Sequence, residues 1–313
     1  MKTALLWLLP FAAKLHADTV GSWQAVDLLS DEFNGTDVDP GKWKRGNPQW
    51  DGHPPGLFKD GNVHVRDGRL RITMKSESGT AGDGTARTIS CGSLASRARI
   101  RYGKFESSVK AMPSAGSSAF WLFNHEPTQW TELDICELCG AGEKFYGKVH
   151  MNAHSFFSPA SPEHHQIPAV HETGKDLCAA FHTYGMEWSQ EHVSWYLDGT
   201  MIRRMPNTHW HQPLYVILDS NTLSDWFGIP PAASLPSTME VEYVRVWQWS
   251  AARAAAPSAP AVPPPAPSGD PPSGKPAPAP HGSDSNSGHS AKSLQLLIDP
   301  ATLKPALPAA KPE

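Results

Sequence analysis

The sequence predicts an all-β chain folded as an antiparallel sandwich, and three observations carry that reading. Helical periodicity is nearly absent between Asp18 and Ser250. Short stretches alternate polar and apolar side chains with period two, as half-buried strands do. Asp67-Gly68 and Asp198-Gly199 each stand between two such stretches, where an Asp-Gly pair reads as a two-residue hairpin turn.

The alternating stretches, in order, are residues 62–66, 69–74, 96–100, 104–110, 192–197 and 239–246, all rich in β-branched or aromatic side chains. Their even spacing, with no crossover helices between them, excludes a parallel α/β sheet. The limits of the unit follow from composition. Of 12 tryptophans, 11 lie between Trp23 and Trp249, whereas 15 of 30 prolines fall between Ala251 and Glu313. A Pro/Ala/Ser tail of that kind buries too little apolar surface to offset its ordering entropy. Residues 251–313 are therefore expected to be disordered, and residues 18–250 to form one globular domain. At the other end, Met1-Lys2-Thr3, the apolar run Ala4–Ala13 and Ala17 have the layout of a secretory signal peptide cleaved after Ala17. The expected location is secreted or periplasmic, and no segment is long enough to span a membrane as a helix.

Charge narrows the partners. The overall net charge is −4; removing two leader lysines and a tail with five basic and four acidic residues leaves about −7 on residues 18–250. An acidic domain without a Lys/Arg cluster is a poor nucleic-acid binder. A neutral or modestly anionic polymer suits it, and the chain is expected to act as a monomer. The four cysteines, Cys91, Cys136, Cys139 and Cys178, lack the spacing of a zinc site and read as buried thiols or one structural disulfide.

The chemistry concentrates in Trp130-Thr131-Glu132-Leu133-Asp134-Ile135-Cys136-Glu137-Leu138. Alternation puts Glu132 and Asp134 on one strand face, and a one-residue bulge after Asp134 would swing Glu137 onto the same face. At ~5.5 Å and an effective dielectric near 20, two carboxylates repel by about 3 kcal/mol, or about two pKa units. One acid should therefore hold its proton near neutral pH, as glycoside hydrolysis requires of its general acid. With the bulge, Glu132 and Glu137 have backbones roughly 13 Å apart. Side chains leaning together approach the ~5–5.5 Å of a retaining mechanism, and an inverting gap stays open. Trp121 and Trp130 flank the acids, and Trp50, Trp210 and Trp226 stand in loop-like contexts, placed to stack on sugar rings. Non-catalytic carbohydrate binding and a cation site are the alternatives.

With these residues in view, the chain resembles glycoside hydrolase family sixteen. The likeness runs through Asp31-Glu32-Phe33-Asn34-Gly35, Asp67-Gly68-Arg69-Leu70, Tyr102-Gly103-Lys104-Phe105-Glu106, the acidic segment, Tyr184-Gly185 with Glu187-Trp188, Tyr196-Leu197-Asp198-Gly199 and Tyr243-Val244-Arg245-Val246. The resemblance implies a jelly-roll, concanavalin A-like sandwich with a concave cleft and retention of configuration. It implies Glu132 as nucleophile, Glu137 as acid/base and Asp134 as their helper, with no cofactor needed for catalysis. The Glu-x-Asp-x-x-Glu spacing is similar to that of laminarinases, agarases, porphyranases and carrageenases. Within that group, Trp50-Asp51-Gly52-His53-Pro54-Pro55, Ser118-Ala119-Phe120-Trp121 and Asp225-Trp226-Phe227-Gly228 resemble enzymes of red-algal galactans. His53 stands where those sequences often carry Arg. His150 and His154 resemble a cleft strand, His154 being the expected sugar contact. Glu242 and the carbonyl near Gly68 would mark a structural calcium. The expected activity is endo-hydrolysis of an agarose- or porphyran-type galactan. A β-1,3-glucanase and a non-catalytic sugar-binding protein are the rivals.

Overall fold

In the computed structural model, residues 21–251 are described; the predicted leader and nearly all of the tail fall outside them. The alternating stretches form strands, with several extended beyond the sequence limits: Val63–Arg66, Arg69–Met74, Ser93–Ile100, Gly103–Lys110, His192–Leu197 and Ser237–Ala251. Both Asp-Gly pairs turn as expected. Asp67 and Gly68 have φ of 55° and 69°, and Asp198 and Gly199 have φ of 49° and 77°. Two consecutive left-handed residues give the turn whose twist matches the flanking strands.

Two eight-stranded sheets result. One, the acidic sheet, runs His165–Gln166, Lys148–Phe157, Gln129–Leu138, Ser117–Glu126, Leu214–Asn221, Ser93–Ile100, Trp43–Arg45, with Ala169–Glu172 also paired to Lys148–Phe157. The other, the backing sheet, runs Thr200–Pro206, His192–Leu197, His182–Trp188, Gly103–Lys110, Ser237–Ala251, Arg69–Met74, Val63–Arg66. Gly21–Ala25 also pairs with Ser237–Ala251, so the first and last strands of the unit lie side by side. All pairing in the two large sheets is antiparallel; the parallel pair Gly56–Phe58 with Ile89–Cys91 is a small sheet of its own. The described helices are three-residue 3-10 turns at Asp27–Leu29, Asp60–Asn62 and Ala232–Ser234.

The core lies between the sheets. Leu122, Leu133, Val216 and Leu218 from the acidic sheet belong to one buried cluster with Phe105, Tyr184, Met186, Trp188, Trp195, Val244 and Val246 from the backing sheet. The bulge is where the sequence places it. Phe120 pairs with Cys136 but Trp121 pairs with Asp134, so Ile135 is the extra residue. On the other side Asp134 faces Asn152 and Glu137 faces His150, so Ile135 and Cys136 stand opposite Met151 alone. Ile135 and Cys136 both turn into the core. Two adjacent apolar residues are thus buried, and that phase change returns Glu137 to the face of Glu132 and Asp134.

Two core tryptophans brace this strand pair from behind. Trp195 donates its indole N–H to the Asp134 carbonyl at 2.8 Å. Trp210 donates to the His154 carbonyl at 2.9 Å. Trp210 is fully buried, which corrects its reading as a sugar platform: its loop folds inward because Asn207 bonds both the Trp210 N–H and its carbonyl. The cysteines are free thiols, and no disulfide joins them among the described residues.

Trp195→Phe keeps most of the ring and removes the donor. It is expected to cost about 1–3 kcal/mol of stability for the orphaned carbonyl, read by denaturant unfolding. Turnover is expected to fall further than substrate affinity, because the carbonyl belongs to the residue before the bulge.

Candidate active site

Cross-strand partners share a sheet face, so the register lays the site out in rows. One row is His154, Glu132, Phe123, Tyr215; the next is Asn152, Asp134, Trp121, Ile217; the third is His150, Glu137, Ala119, Asp219. The three predicted acids therefore converge on the outer face of the acidic sheet. A cavity of about 670 Å³ opens over them, lined among others by Glu132, Glu137, His150, Asn152, His154 and Trp226.

Burial dominates the electrostatics. The Glu132 carboxyl is pushed up to about 8, first by loss of water and then by the charges of Glu137 and Asp219. Glu137 is pushed up to about 7 by burial. Asp134 is raised well above the carboxylate range by burial and by Glu132 and Glu137. Contact between the Glu132 and Asp134 carboxyls lowers Glu132 and raises Asp134. Two facing carboxyl oxygens are both acceptors, so this contact requires a proton, and Asp134 is the residue that keeps it. His154 Nε2 lies 3.8 Å from Glu132 Oε1 and 3.7 Å from Asp134 Oδ2. Burial and then the neighbouring His164 hold His154 down to about 4, so it stands neutral beside the acids.

The aromatic residues occupy several levels around this centre. Trp121 is buried against Phe123 on the cleft face, with ring centroids 5.2 Å apart. Trp130 is stacked between His125 at 4.3 Å and Phe156 at 4.2 Å. Phe156 continues the stack to His164 at 4.6 Å. Trp50 packs on His53 and on the cluster containing Ala119 and Trp121. Trp226 is exposed at the opposite end, over His150 at 4.9 Å and stacked on Phe227. Among the described residues, the buried indole N–H groups of Trp50, Trp121 and Trp130 have no hydrogen-bond partner. Such donors suit sugar hydroxyls.

Several participants escape sequence reading. Asp219 is the fourth acid on this face and is almost wholly buried. Its signal was an ionisable residue inside the apolar run Val216-Ile217-Leu218-Asp219. Asn152 and Phe156 share the phase of His150 and His154 and could have been found by alternation. Lys144 and Lys148 line the cleft near His150, whose imidazole they help hold down to about 4 after burial. Of the arginines, Arg45 pairs with Asp37, and Arg97 donates to the Pro40 carbonyl. Arg87 is buried near His53 and helps lower its pKa, after burial.

The residues expected to hold calcium lie on the backing sheet. Glu242 accepts a hydrogen bond from Ser108 Oγ at 2.6 Å and lies 3.9 Å from the Arg69 guanidinium. Gly68 sits in its turn near Asn34 Oδ1. A carboxylate already matched to a guanidinium and a hydroxyl hydrogen does not fit a dication's donor set. Donor atoms of Glu132, Asp134 and His154 lie within 4.8 Å of one another, so the acid trio itself has the geometry of a cation site.

Comparison with known proteins gives the family in which this acidic face stands. The family profile described as β-porphyranase A–D, GH16 domain, matches residues 23–249. The chain belongs to glycoside hydrolase family 16. It is 30% identical over 250 residues to β-porphyranase B of Zobellia galactanivorans, covering 72% of this chain and 85% of that protein. The crystal structure of the β-porphyranase BpGH16B from the human gut bacterium Bacteroides plebeius superposes with a TM-score of 0.67 at 26% identity, over 76% of this chain and 95% of that one. A glucan endo-1,3-β-glucosidase A1 of Niallia circulans is 24% identical, covering 71% of this chain and 37% of that protein. This family 16 glycosidase thus has the jelly-roll sandwich expected of it, and the acids lie on the cleft side.

The raised carboxyls make a stability prediction with a defined sign. A carboxyl whose pKa is higher when folded binds more protons in the native state, so stability is lost as pH rises through the folded value. The lowered histidines act oppositely, gaining stability as pH rises from about 4 to about 6.5. Above about 6.5 only the acids remain, and stability should fall toward pH about 8. Glu132→Gln is expected to flatten that decline in melting scans; an equal decline would exclude Glu132 as a source.

Proposed function

We propose that this glycosidase is exported and cleaves β-galactosidic bonds inside a red-algal galactan of agarose or porphyran type, with retention. The observation that carries the substrate class is the match to a β-porphyranase profile across residues 23–249, which includes both cleft loops, at Trp50 and at Trp226. The charge of the cleft supports a modestly anionic polymer, with Lys144 and Lys148 on its wall and Arg87 behind His53. A β-1,3-glucanase is the second reading, favoured by the relative from Niallia circulans.

In the proposed double displacement, Glu132 attacks the anomeric carbon while Glu137 protonates the departing oxygen. Glu137 then takes a proton from water, whose oxygen attacks and releases Glu132. Asp134, holding a proton toward Glu132, stabilises the nucleophile's charge and keeps it from accepting that proton. The neutral His154 offers a hydrogen-bonding edge to the sugar bound against Glu132. In the ligand-free cleft Glu132 and Glu137 are both raised, mainly by burial. Both carboxyls stand above the ordinary range there, and a 2-hydroxyl of the bound sugar donating to Glu132 favours its anion.

Reducing-end assays should show turnover on agarose or porphyran and little on laminarin; turnover on laminarin alone would overturn the galactan reading. Proton NMR at early times should show the β-anomer first if configuration is retained. Glu132→Gln should abolish turnover on every substrate. Glu137→Gln should slow the natural polymer by roughly 10²–10⁴-fold, and much less for a glycoside whose leaving group needs no protonation.

A further inference from the structure

The double displacement above gives a task to one edge of His154 and none to the other. His154 Nε2 faces the acids, 3.8 Å from Glu132 Oε1 and 3.7 Å from Asp134 Oδ2. That Asp134 oxygen is buried and has no hydrogen-bond partner among the described residues. On the opposite edge, His154 Nδ1 lies 3.3 Å from His164 Nε2. The two imidazoles stand nearly parallel, at 17° with centroids 5.6 Å apart. Phe156 stacks on both, at 5.4 Å from His154 and 4.6 Å from His164.

His164 is exposed, yet the segment that carries it is tied down on both sides. Before it, Ser158 and Ser161 exchange backbone hydrogen bonds. After it, His165 Nε2 lies 2.8 Å from Ser161 Oγ, and the His165 ring stacks on His209 at 5.1 Å. Gln166 then pairs with His154 across the strands, and Arg203 donates to the Ile167 carbonyl.

We propose that His164 is a positioning residue that acts through His154: it donates a hydrogen bond from Nε2 to His154 Nδ1 and so fixes the proton of His154 on Nε2, the edge toward Glu132 and the bound sugar. The proposal rests on the reading of His154 as a contact of that sugar.

A neutral imidazole carries one N–H and one lone pair, and the partner of one nitrogen decides the state of the other. Burial and then His164 hold His154 down to about 4, so the neutral ring with its single proton is the form at work. With that proton on Nδ1, a bare Nε2 would aim its lone pair at two carboxyl oxygens. His164 would then have to accept, which only a neutral ring with its own Nε2 bare can do. The Nε2–H tautomer escapes both restrictions. Its Nδ1 accepts from a neutral His164 protonated on Nε2, and equally from an imidazolium, which donates from both nitrogens. The choice sets the chemistry of the site. Nε2–H is a donor, fit for a sugar hydroxyl oxygen or for the Glu132 carboxylate once it ionises. A bare Nε2 would instead suit a cation shared with Glu132 and Asp134, with Nδ1–H passed outward to His164.

The test is nitrogen NMR of the histidine rings in the isotope-labelled full chain, with kcat and KM on the cleaved polymer measured beside it. His154→Gln identifies the His154 signals by their loss. In the parent at neutral pH, His154 should show a protonated Nε2 and a bare Nδ1. His164→Phe keeps the stack on Phe156 and removes the donor; the Nε2–H fraction should fall, and kcat should drop roughly three- to tenfold, with melting like the parent. His164→Gln, whose amide can donate, should restore the tautomer and most of the turnover. His164→Glu can only accept when ionised and should bring a proton onto Nδ1. A parent His154 protonated on Nδ1 alone overturns the proposal, and this outcome needs no His164 variant to fold. An unchanged tautomer in both His164→Phe and His164→Glu overturns it equally. A tautomer that follows the variants while kcat and KM stay at parent values would uphold the lock and refute His154 as the sugar contact.

Discussion

Four carboxyls are crowded onto one sheet face, Asp134 and Asp219 buried and Glu132 and Glu137 half-buried on the wall of the cleft, and much of the surrounding architecture answers that crowding. Each of Glu132, Asp134, Glu137 and Asp219 is raised mainly by burial. Such a face folds only if protons are distributed among the acids instead of being lost to solvent. The bulge at Ile135 returns Glu137 to the face of Glu132 and Asp134, and Asp219 joins them two strands away in the row of Ala119. Neutral His154 adds no further charge while still offering a polar edge within 4 Å of two acids. Function and stability therefore pull in opposite directions here, and the rest of the sandwich supplies the difference.

The tryptophans divide that work. Trp43, Trp188, Trp195 and Trp210 are fully buried, and three of these indoles hand hydrogen bonds forward through the core. Trp188 donates to the Trp210 carbonyl, Trp210 to the His154 carbonyl and Trp195 to the Asp134 carbonyl. The backbone of the cleft strands is thus pinned from behind by rings in the core. Trp50, Trp121, Trp130 and Trp226 occupy the other side. Arg203, stacked 4.4 Å over Trp195, extends the bracing to the backing sheet's edge.

The strands, the two hairpin turns and the bulge were legible because each is a local pattern. Period-two alternation survives in single stretches, Asp-Gly pairs encode their own backbone angles, and Ile135-Cys136 between acids betrays a phase change. Trp210 was misread because its neighbours His209 and His211 look like a loop, and only the Asn207 bonds that fold it inward reveal otherwise. Asp219 stayed hidden because its place on the acidic face is set by register across two strands more than 80 residues away in sequence, which alternation cannot report. The fate of Glu242 was equally non-local, set by Arg69 and Ser108 on neighbouring strands.

The pairing of Gly21–Ala25 with Ser237–Ala251 brings the entry and exit points of the described unit together. A Cβ placed on Gly21 would lie 2.6 Å from the Ser250 carbonyl, and Trp23 meets Trp249 edge-to-face at 5.4 Å. Both ends belong to the backing sheet, while the acids open from the outer face of the other. The two ends of the described unit therefore both leave from the backing sheet and not from the sheet that carries the acids. Pulling on both ends at once would load the shortest possible path, peeling two adjacent strands before any force reached the catalytic rows.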